Sequence, residues 1–380
     1  MRIVILRRFR NASISMDVYA DGLISGLRTV CPDWEVCELA PRLDSSEMQK
    51  AKKGRGSFVI EGIRKYYERY WRFPQSLKRE DADIFHIVDH SDGHLLYWLK
   101  KYKKKAAITC HDLINLVAPE TFENRAQLPG LSMMVWEKSV REMKRADHIV
   151  SVSSHTKKDV VQALHISGKK VSVVPNAVDP VFRRLPPETI AQFRTDNGLE
   201  HRFCLLNVGS NHTRKNIDAI LQSLPQLKTN GIPITFWKVG KDFTEAQKAF
   251  ILKHDLGADI RYFGQPSLET LITIYNSADV LVSPSLYEGF GLTILEAMAC
   301  GLAVITSNVT SLPEVAGDAA ILVEPTDVEA IAQGIERLYR EPDYHQVMIQ
   351  KGIARAAQFS WENTAKQVRD QYEKICGGIS

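Results

Sequence analysis

A chain of 380 residues, 44% hydrophobic and 25% charged, is long enough for two domains with a core each and is globular rather than disordered or fibrous. It has no run of about 18 apolar residues, which excludes a membrane-spanning helix, and its six scattered cysteines form no C-x-x-C pair, which excludes a disulfide framework or zinc site and points to reduced thiols in the cytoplasm. The net charge of +4 is uneven: residues 1–180 carry 30 Lys and Arg against 22 Asp and Glu, a net of +8, and the remainder carries 19 against 23, a net of −4. The first half is therefore expected to meet an anion, a lipid phosphate or an anionic membrane surface, with a merely solvated basic face as the alternative. Nucleic acid is not expected, because no zinc-finger, RNA-recognition or helix-turn-helix pattern is present.

In chain order, Met1–Leu6 is too short an apolar run for a signal peptide and reads as a first strand. Arg2–Leu6, Trp34–Leu39, Asp83–Asp89, Ala106–Asp112, His148–Ser153 and Lys170–Asn176 read as strands with helical stretches between most of them. Such alternation predicts a doubly wound parallel sheet. The loop from Arg7 to Ser15 holds no glycine, which argues against a dinucleotide-binding dehydrogenase. From Lys50 to Arg79 the chain is basic and aromatic, and as a helix it either packs on the sheet or lies in a membrane interface. Lys100–Lys105 reads as a solvated helix end, with lipid headgroups as the alternative contact. His86 reads as a satisfied core histidine. Asp89-His-Ser-Asp-Gly-His94 follows a strand end and either lines a cleft or is structural; its spacing supplies no evident metal shell. His111 closes a strand, and Ser153 or Ser154 caps a helix.

Pro180–Pro187 has linker character. Phe203–Gly209 then reads as a strand, with Ser210–Asn216 opening a helix at its carboxyl end. Arg214 and Lys215 there suit a diphosphate, or are a solvated pair. Ile234–Val239, Ile260–Gly264, Ala278–Ser283 and Leu302–Thr306 read as further strands. Between the last two, Leu292 to Cys300 has helical spacing and stops at Gly301. This is a βαβ unit whose glycine loop lies at a strand's carboxyl end, where open α/β sheets bind ligands. Gly289 and Gly291 bare the backbone, and a helix beginning near Leu292 aims free N–H groups and a positive dipole end at the loop, which favours phosphate. Glu288 in the loop and Glu296 one turn into the helix add two carboxylates, one suited to a vicinal diol. Phosphate, diol and second carboxylate together point to a sugar nucleotide. The plainer alternative is a βα-turn with a capping Glu.

The stretch Pro284-Ser-Leu-Tyr-Glu-Gly-Phe-Gly-Leu-Thr-Ile-Leu-Glu-Ala-Met-Ala-Cys-Gly301 resembles the E-x7-E signature of glycosyltransferase family 4, retaining enzymes of the GT-B fold, and the similarity continues from Ser311 to Pro325. The resemblance is close over the second half and weak over the first. It implies two Rossmann-like doubly wound α/β domains facing a cleft. Residues 1–180 would bind the acceptor and 181–361 the nucleotide sugar, with a last helix at about 362–380 packing back on the first domain. It implies retaining, metal-independent hexosyl transfer, without a cofactor, from a nucleotide diphosphate sugar. The expected donor is a UDP-hexose, with GDP-mannose as the alternative. The expected acceptor is a polysaccharide or lipid-linked saccharide of cell-envelope glycan synthesis, met in the cytoplasm or at the cytoplasmic membrane face through the first domain. His111 resembles the family's cleft histidine, which contacts the donor sugar, and Lys215 its phosphate lysine. The family's arginine directly follows the glycine, where this chain has Ser210, so Arg214 is the expected substitute. The catalytic set is thus His111, Glu288, Lys215 and Arg214. The substrate-binding set is Gly209, Ser210, Phe263, Gly264, Glu288, Gly289, Phe290, Gly291, Leu292, Thr293 and Glu296, with the base held near Phe263–Gly264 largely by backbone. Two rivals remain, another sugar-nucleotide enzyme of this fold (epimerase or phosphorylase type) and a protein that binds a sugar nucleotide without turnover.

Overall fold

Ile3, Val4, Ile5 and Leu6 are all buried, the mark of a parallel strand covered on both faces rather than of an alternating amphipathic one. The same holds for Ala106–Cys110, Val280–Ser283 and Ala303–Ser307, and it is why the strands take their apolar form. The structure is a computed structural model that describes residues 1–10, 12–42, 62–117 and 130–377. These fall into two compact units.

The first unit comprises the described residues of Met1–Val117, Arg125–Asn176 and Trp361–Ser380. Its six strands are β1 (Arg2–Leu6), β2 (Glu35–Leu39), β3 (Ile84–Ile87), β4 (Ala106–Cys110), β5 (His148–Ser151) and β6 (Val171–Val173). They form one parallel sheet in the order β2-β1-β3-β4-β5-β6. One sheet face packs on the helix Ile14–Val30 and on Val368 and Tyr372 of the helix Trp361–Gly377. The other packs on Phe73, Leu77, Leu95, Leu96, Leu99, Val140 and Val160.

The second unit, Ala177–Ser360, carries β7 (Phe203–Gly209), β8 (Ile234–Gly240), β9 (Ile260–Tyr262), β10 (Val280–Ser283), β11 (Ala303–Ser307) and β12 (Ile321–Val323). The order β12-β11-β10-β7-β8-β9 is again all parallel. This is the dinucleotide-fold order, with its topological switch between β7 and β10; in the first unit the order reverses between β1 and β3. The doubly wound expectation holds in both halves.

The structure amends several local expectations. Strands after Asp83 and Ala106 stop at Ile87 and Cys110, because the chain turns there to place Asp89 and His111 beyond the sheet. The three-residue edge strand β12 is too short to leave a sequence signal. No helix opens at Ser210; a 3-10 turn spans Thr213–Lys215, and the helix starts at Ile217 after Asn216 in a left-handed conformation, φ 56°. The Asn216 amide explains it by donating to the Pro284 and Pro325 carbonyls at 3.0 and 2.6 Å. Of the basic aromatic stretch, the part from Lys50 to Glu61 lies outside the described residues, and 62 to Ser76 is helical with a π-turn at Glu68–Arg72. Core packing there holds for Phe73, Pro74 and Leu77, whereas Ile63, Tyr66, Tyr67 and Trp71 are exposed, although Glu68 in the same turns is buried. Ser153 is the cap of the helix Ser154–Leu164, accepting from the Thr156 N–H.

Candidate active site

At the switch point of the second unit, the turn after β7 and the loop after β10 meet. Arg214 Nη1 donates to Glu288 Oε2 at 2.9 Å and to the Tyr287 carbonyl at 3.2 Å, and Lys215 Nζ donates to Glu288 Oε1 at 2.6 Å. One buried carboxylate thus holds both cations. Burial by itself raises the Glu288 pKa, but the Lys215 and Arg214 charges outweigh it and bring the carboxyl down to about 2. Glu288 is therefore ionised and acceptor-only at neutral pH. The backbone locks the pair of loops, since the Leu286 N–H donates to the Arg214 carbonyl at 2.7 Å.

The glycine loop is shaped from the far side. Ser311 Oγ donates to the Glu288 and Phe290 carbonyls, each at 2.9 Å, and the Glu288 N–H donates to Thr310 Oγ1 at 3.2 Å. Gly291 stands at φ +110° as the residue before the helix Leu292–Ala299, and a Cβ there would lie 2.9 Å from Leu312 Cδ2, so only glycine fits. The Phe290 ring is buried, edge-on to Phe359, so what Phe290 offers a ligand is backbone. Leu292 and Thr293 form the first turn of the helix, whose leading N–H groups lack intrahelical partners. One turn further in, Glu296 Oε2 accepts from the buried Tyr275 hydroxyl at 2.7 Å, and burial raises the Glu296 pKa.

The remaining expected residues of this unit also stand at strand ends. Gly209 ends β7 at φ +144°, with half-buried Ser210 after it. Phe263 follows β9; its ring is edge-on to Trp237 at 4.9 Å with the Arg261 guanidinium over it, and its N–H donates to the Lys238 carbonyl at 2.9 Å. Gly264 at φ +63° accepts from the Gly240 N–H at 2.7 Å. Sequence reasoning brought these residues forward one by one. It missed Tyr275, Thr310, Ser311 and Asn216, which hold them. Only Asn216 carried a local signal, as a residue type that tolerates the left-handed conformation.

His111 stands in the first unit, just past β4, and is buried. Its Nε2 bonds to the Val88 carbonyl at 2.8 Å, which fixes the hydrogen on Nε2 and leaves Nδ1 as the acceptor. Burial, and next the neighbouring His90, lower its pKa, so the ring is neutral at physiological pH. Tyr19 meets it edge-on at 4.7 Å between ring centres. His86 belongs to the structural network behind, bridging Tyr372 and Thr109 hydroxyls. Within the Asp89–His94 segment, Asp89 pairs with Arg8 at 3.0 Å, Asp92 with Arg69 at 2.6 Å, and His94 bonds to Ser139 and the Arg69 carbonyl. Arg7, beside them, is buried among Asp17, Asp21 and Glu38. Several cations of the basic half are thus matched internally.

Residues 190–355 match the family model for Glycosyl transferases group 1, and residues 18–182 the model for Glycosyltransferase Family 4. The chain is 30% identical over 283 residues to the O-antigen chain mannosyltransferase B of Escherichia coli, covering 73% of either protein. It is 29% identical over 305 residues to the serotype-specific mannosyltransferase WbdA of Escherichia coli, a match that takes in 77% of this chain and 37% of that longer one. Among solved structures it resembles Anabaena Alr3699/HepE in complex with UDP and glucose, with a TM-score of 0.74 at 14% identity over 98% of this chain and 100% of that one, a likeness of fold. With its two parallel six-stranded sheets and an E-x7-E loop at the switch point of the second, the chain belongs to the group 1 glycosyltransferases of GT-B fold.

Proposed function

We propose that this protein transfers a mannosyl residue, with retention of configuration and without a metal ion, from a nucleoside diphosphate sugar to a growing polysaccharide or lipid-linked saccharide of the cell envelope. The observation that carries the reading is the Arg214–Lys215–Glu288 cluster beside the helix N-terminus at Leu292. Two cations and the Leu292 and Thr293 amides suit a diphosphate that gains charge as it departs, and preorganised donors of this kind act on the transition state. Glu296, half-occupied by Tyr275, is assigned to the ribose diol. His111, with Nδ1 free to accept, is assigned to a hydroxyl of the donor sugar, and the first unit to the acceptor. Mannose is favoured over other hexoses by the named activities of the relatives in Escherichia coli, and GDP-mannose over UDP-sugars with it. The exposed Ile63, Tyr66, Tyr67 and Trp71 on a helix that also carries Arg64, Lys65 and Arg72 support contact with an anionic lipid surface, although no described helix is long and apolar enough to cross a membrane.

Thermal-shift screening against GDP-mannose, UDP-glucose, UDP-galactose, GDP and UDP tests this. A ligand at 100 times its Kd adds about 2.7 kcal/mol of stability. Stabilisation by GDP-mannose and GDP, with slow release of free mannose from GDP-mannose, is expected. Stabilisation by uridine nucleotides alone would replace the donor assignment, and binding without any sugar release would leave a binding protein in place of a transferase.

A further inference from the structure

Lys238 lies in β8 between Trp237 and Val239 and is 0% exposed. Its ammonium donates to the carbonyl oxygens of Gly209 and Val239, each at 2.8 Å. Its own carbonyl accepts from the Phe263 N–H at 2.9 Å. One side chain and its backbone therefore tie together the end of β7, the end of β8 and the loop after β9. The crossing beneath is tight: a Cβ on Gly240 would overlap the Gly209 carbonyl oxygen. Lys215 reaches the same place from the other side, where a Cβ on Gly209 would stand 3.8 Å from Lys215 Nζ. Across the sheet the neighbours of Lys238 are Asn207 and Tyr262, and the Lys241 N–H also donates to the Gly209 carbonyl, at 3.3 Å. The charged group that acts on Lys238 most strongly is Lys215, another cation. A buried ammonium held by neutral carbonyls is costly, and an apolar residue would fill a strand interior without that cost.

We propose that Lys238 is a positioning residue of the diphosphate site, which ties down two carbonyl oxygens that would otherwise repel phosphate and supplies a buried positive charge whose counter-charge is the diphosphate of the donor. This rests on the donor site being where the previous section places it. Burial and then the Lys215 charge lower the Lys238 ammonium to about 8. An anion drawn to Lys215 offsets the second of these effects and raises it again, so diphosphate binding takes up a proton near pH 8.

The test compares GDP and UDP with guanosine and uridine, on the wild-type chain and on Lys238→Met and Lys238→Gln, by calorimetry in buffers of different ionisation enthalpy. Loss of the buried positive charge and release of the Gly209 and Val239 carbonyls predict that both variants lose about tenfold or more in diphosphate affinity beyond any loss for the nucleoside. The wild-type chain should take up a fraction of a proton on diphosphate binding at pH 8 and none on nucleoside binding. From pH 7 to 8.5 its diphosphate-to-nucleoside affinity ratio should fall by up to about fourfold, and in the variants it should stay flat. Equal losses for diphosphate and nucleoside would reduce Lys238 to a packing residue, and absence of proton uptake by the wild-type chain would overturn the proposal even where the variants fail to fold. If the wild-type chain binds neither diphosphate, the donor-site reading falls and this inference with it.

Discussion

Glu288 is buried and Glu296 half-buried, and their surroundings push the two carboxylates in opposite directions. Glu296 has a phenol for a partner and its pKa rises with burial; Glu288 has two cations and falls to about 2. If Glu296 holds a ribose diol, Glu296→Ala weakens binding of free GDP by about 1.5–3 kcal/mol, the range for hydrogen bonds to a charged group, and titration of the folded variant checks it. Unchanged affinity would remove Glu296 from the site. Glu288 competes with phosphate for Arg214 and Lys215, so Glu288→Gln is expected to bind free GDP about tenfold more tightly while sugar transfer collapses. Lys215→Ala should lower kcat more than it raises KM, because charge grows on the leaving diphosphate. A variant whose defect lies wholly in KM would contradict that role.

Two helices cover one face of the first unit's sheet. Ile14–Val30 and Trp361–Gly377 pack closely because Gly22 and Gly26 present no side chain to Trp361. A Cβ on Gly22 would collide with the indole, and one on Gly26 would lie 2.5 Å from the Trp361 carbonyl oxygen. Gly26→Ala should gain helix propensity yet lose about 1–3 kcal/mol to overpacking, read as a lower urea midpoint. An unchanged or raised midpoint would show that the helix shifts to accommodate it. The helix from 62 to Ser76 presents exposed Tyr67 and Trp71 among basic residues. Binding to anionic vesicles should fall steeply as salt shortens the Debye length, and Tyr67→Ser with Trp71→Ser should weaken it further; equal binding to neutral vesicles would refute the electrostatic part.

At the scale of the molecule, acid sensitivity separates these groups. His86, buried between Tyr372 and Thr109, is lowered by burial to about 3, and His148 by burial and nearby lysines to about 4. Both bind more protons unfolded than folded below their ordinary value of about 6.5. Their contribution to stability is complete above that value and declines as pH falls towards 4 and 3. Glu288 is lowered as well, from about 4.5 to about 2, so its contribution is complete above its ordinary carboxylate range and is lost as pH falls from there through about 2. Stability should therefore drop by about 1.4 kcal/mol per pH unit for each fully engaged histidine between pH 6 and 4, and His86→Gln should flatten the slope by one proton's worth. An equally steep slope in the variant would assign the acid sensitivity elsewhere.

What the sequence determined by itself was whatever a local pattern encodes. Continuous apolar runs such as Ile3–Leu6 and Val280–Val282 specify strands buried on both faces, and strand, Gly289-Phe-Gly291, helix specifies a ligand loop, because the positive φ at Gly291 needs glycine and a helix start needs an anion or a cap. The family was legible in that one loop. Which side chains face one another was not. Glu288 meets Arg214 and Lys215, Tyr275 meets Glu296, and Trp361 meets Gly22 and Gly26 only because the sheet order sets β10 beside β7 and the last helix beside the first. The exposure of Tyr67 and Trp71 and the burial of Lys238 were equally silent, since an aromatic or a lysine takes its environment from the layer that covers it. Strand order joins partners tens to hundreds of residues apart, and no spacing along the chain records which strand ends will adjoin.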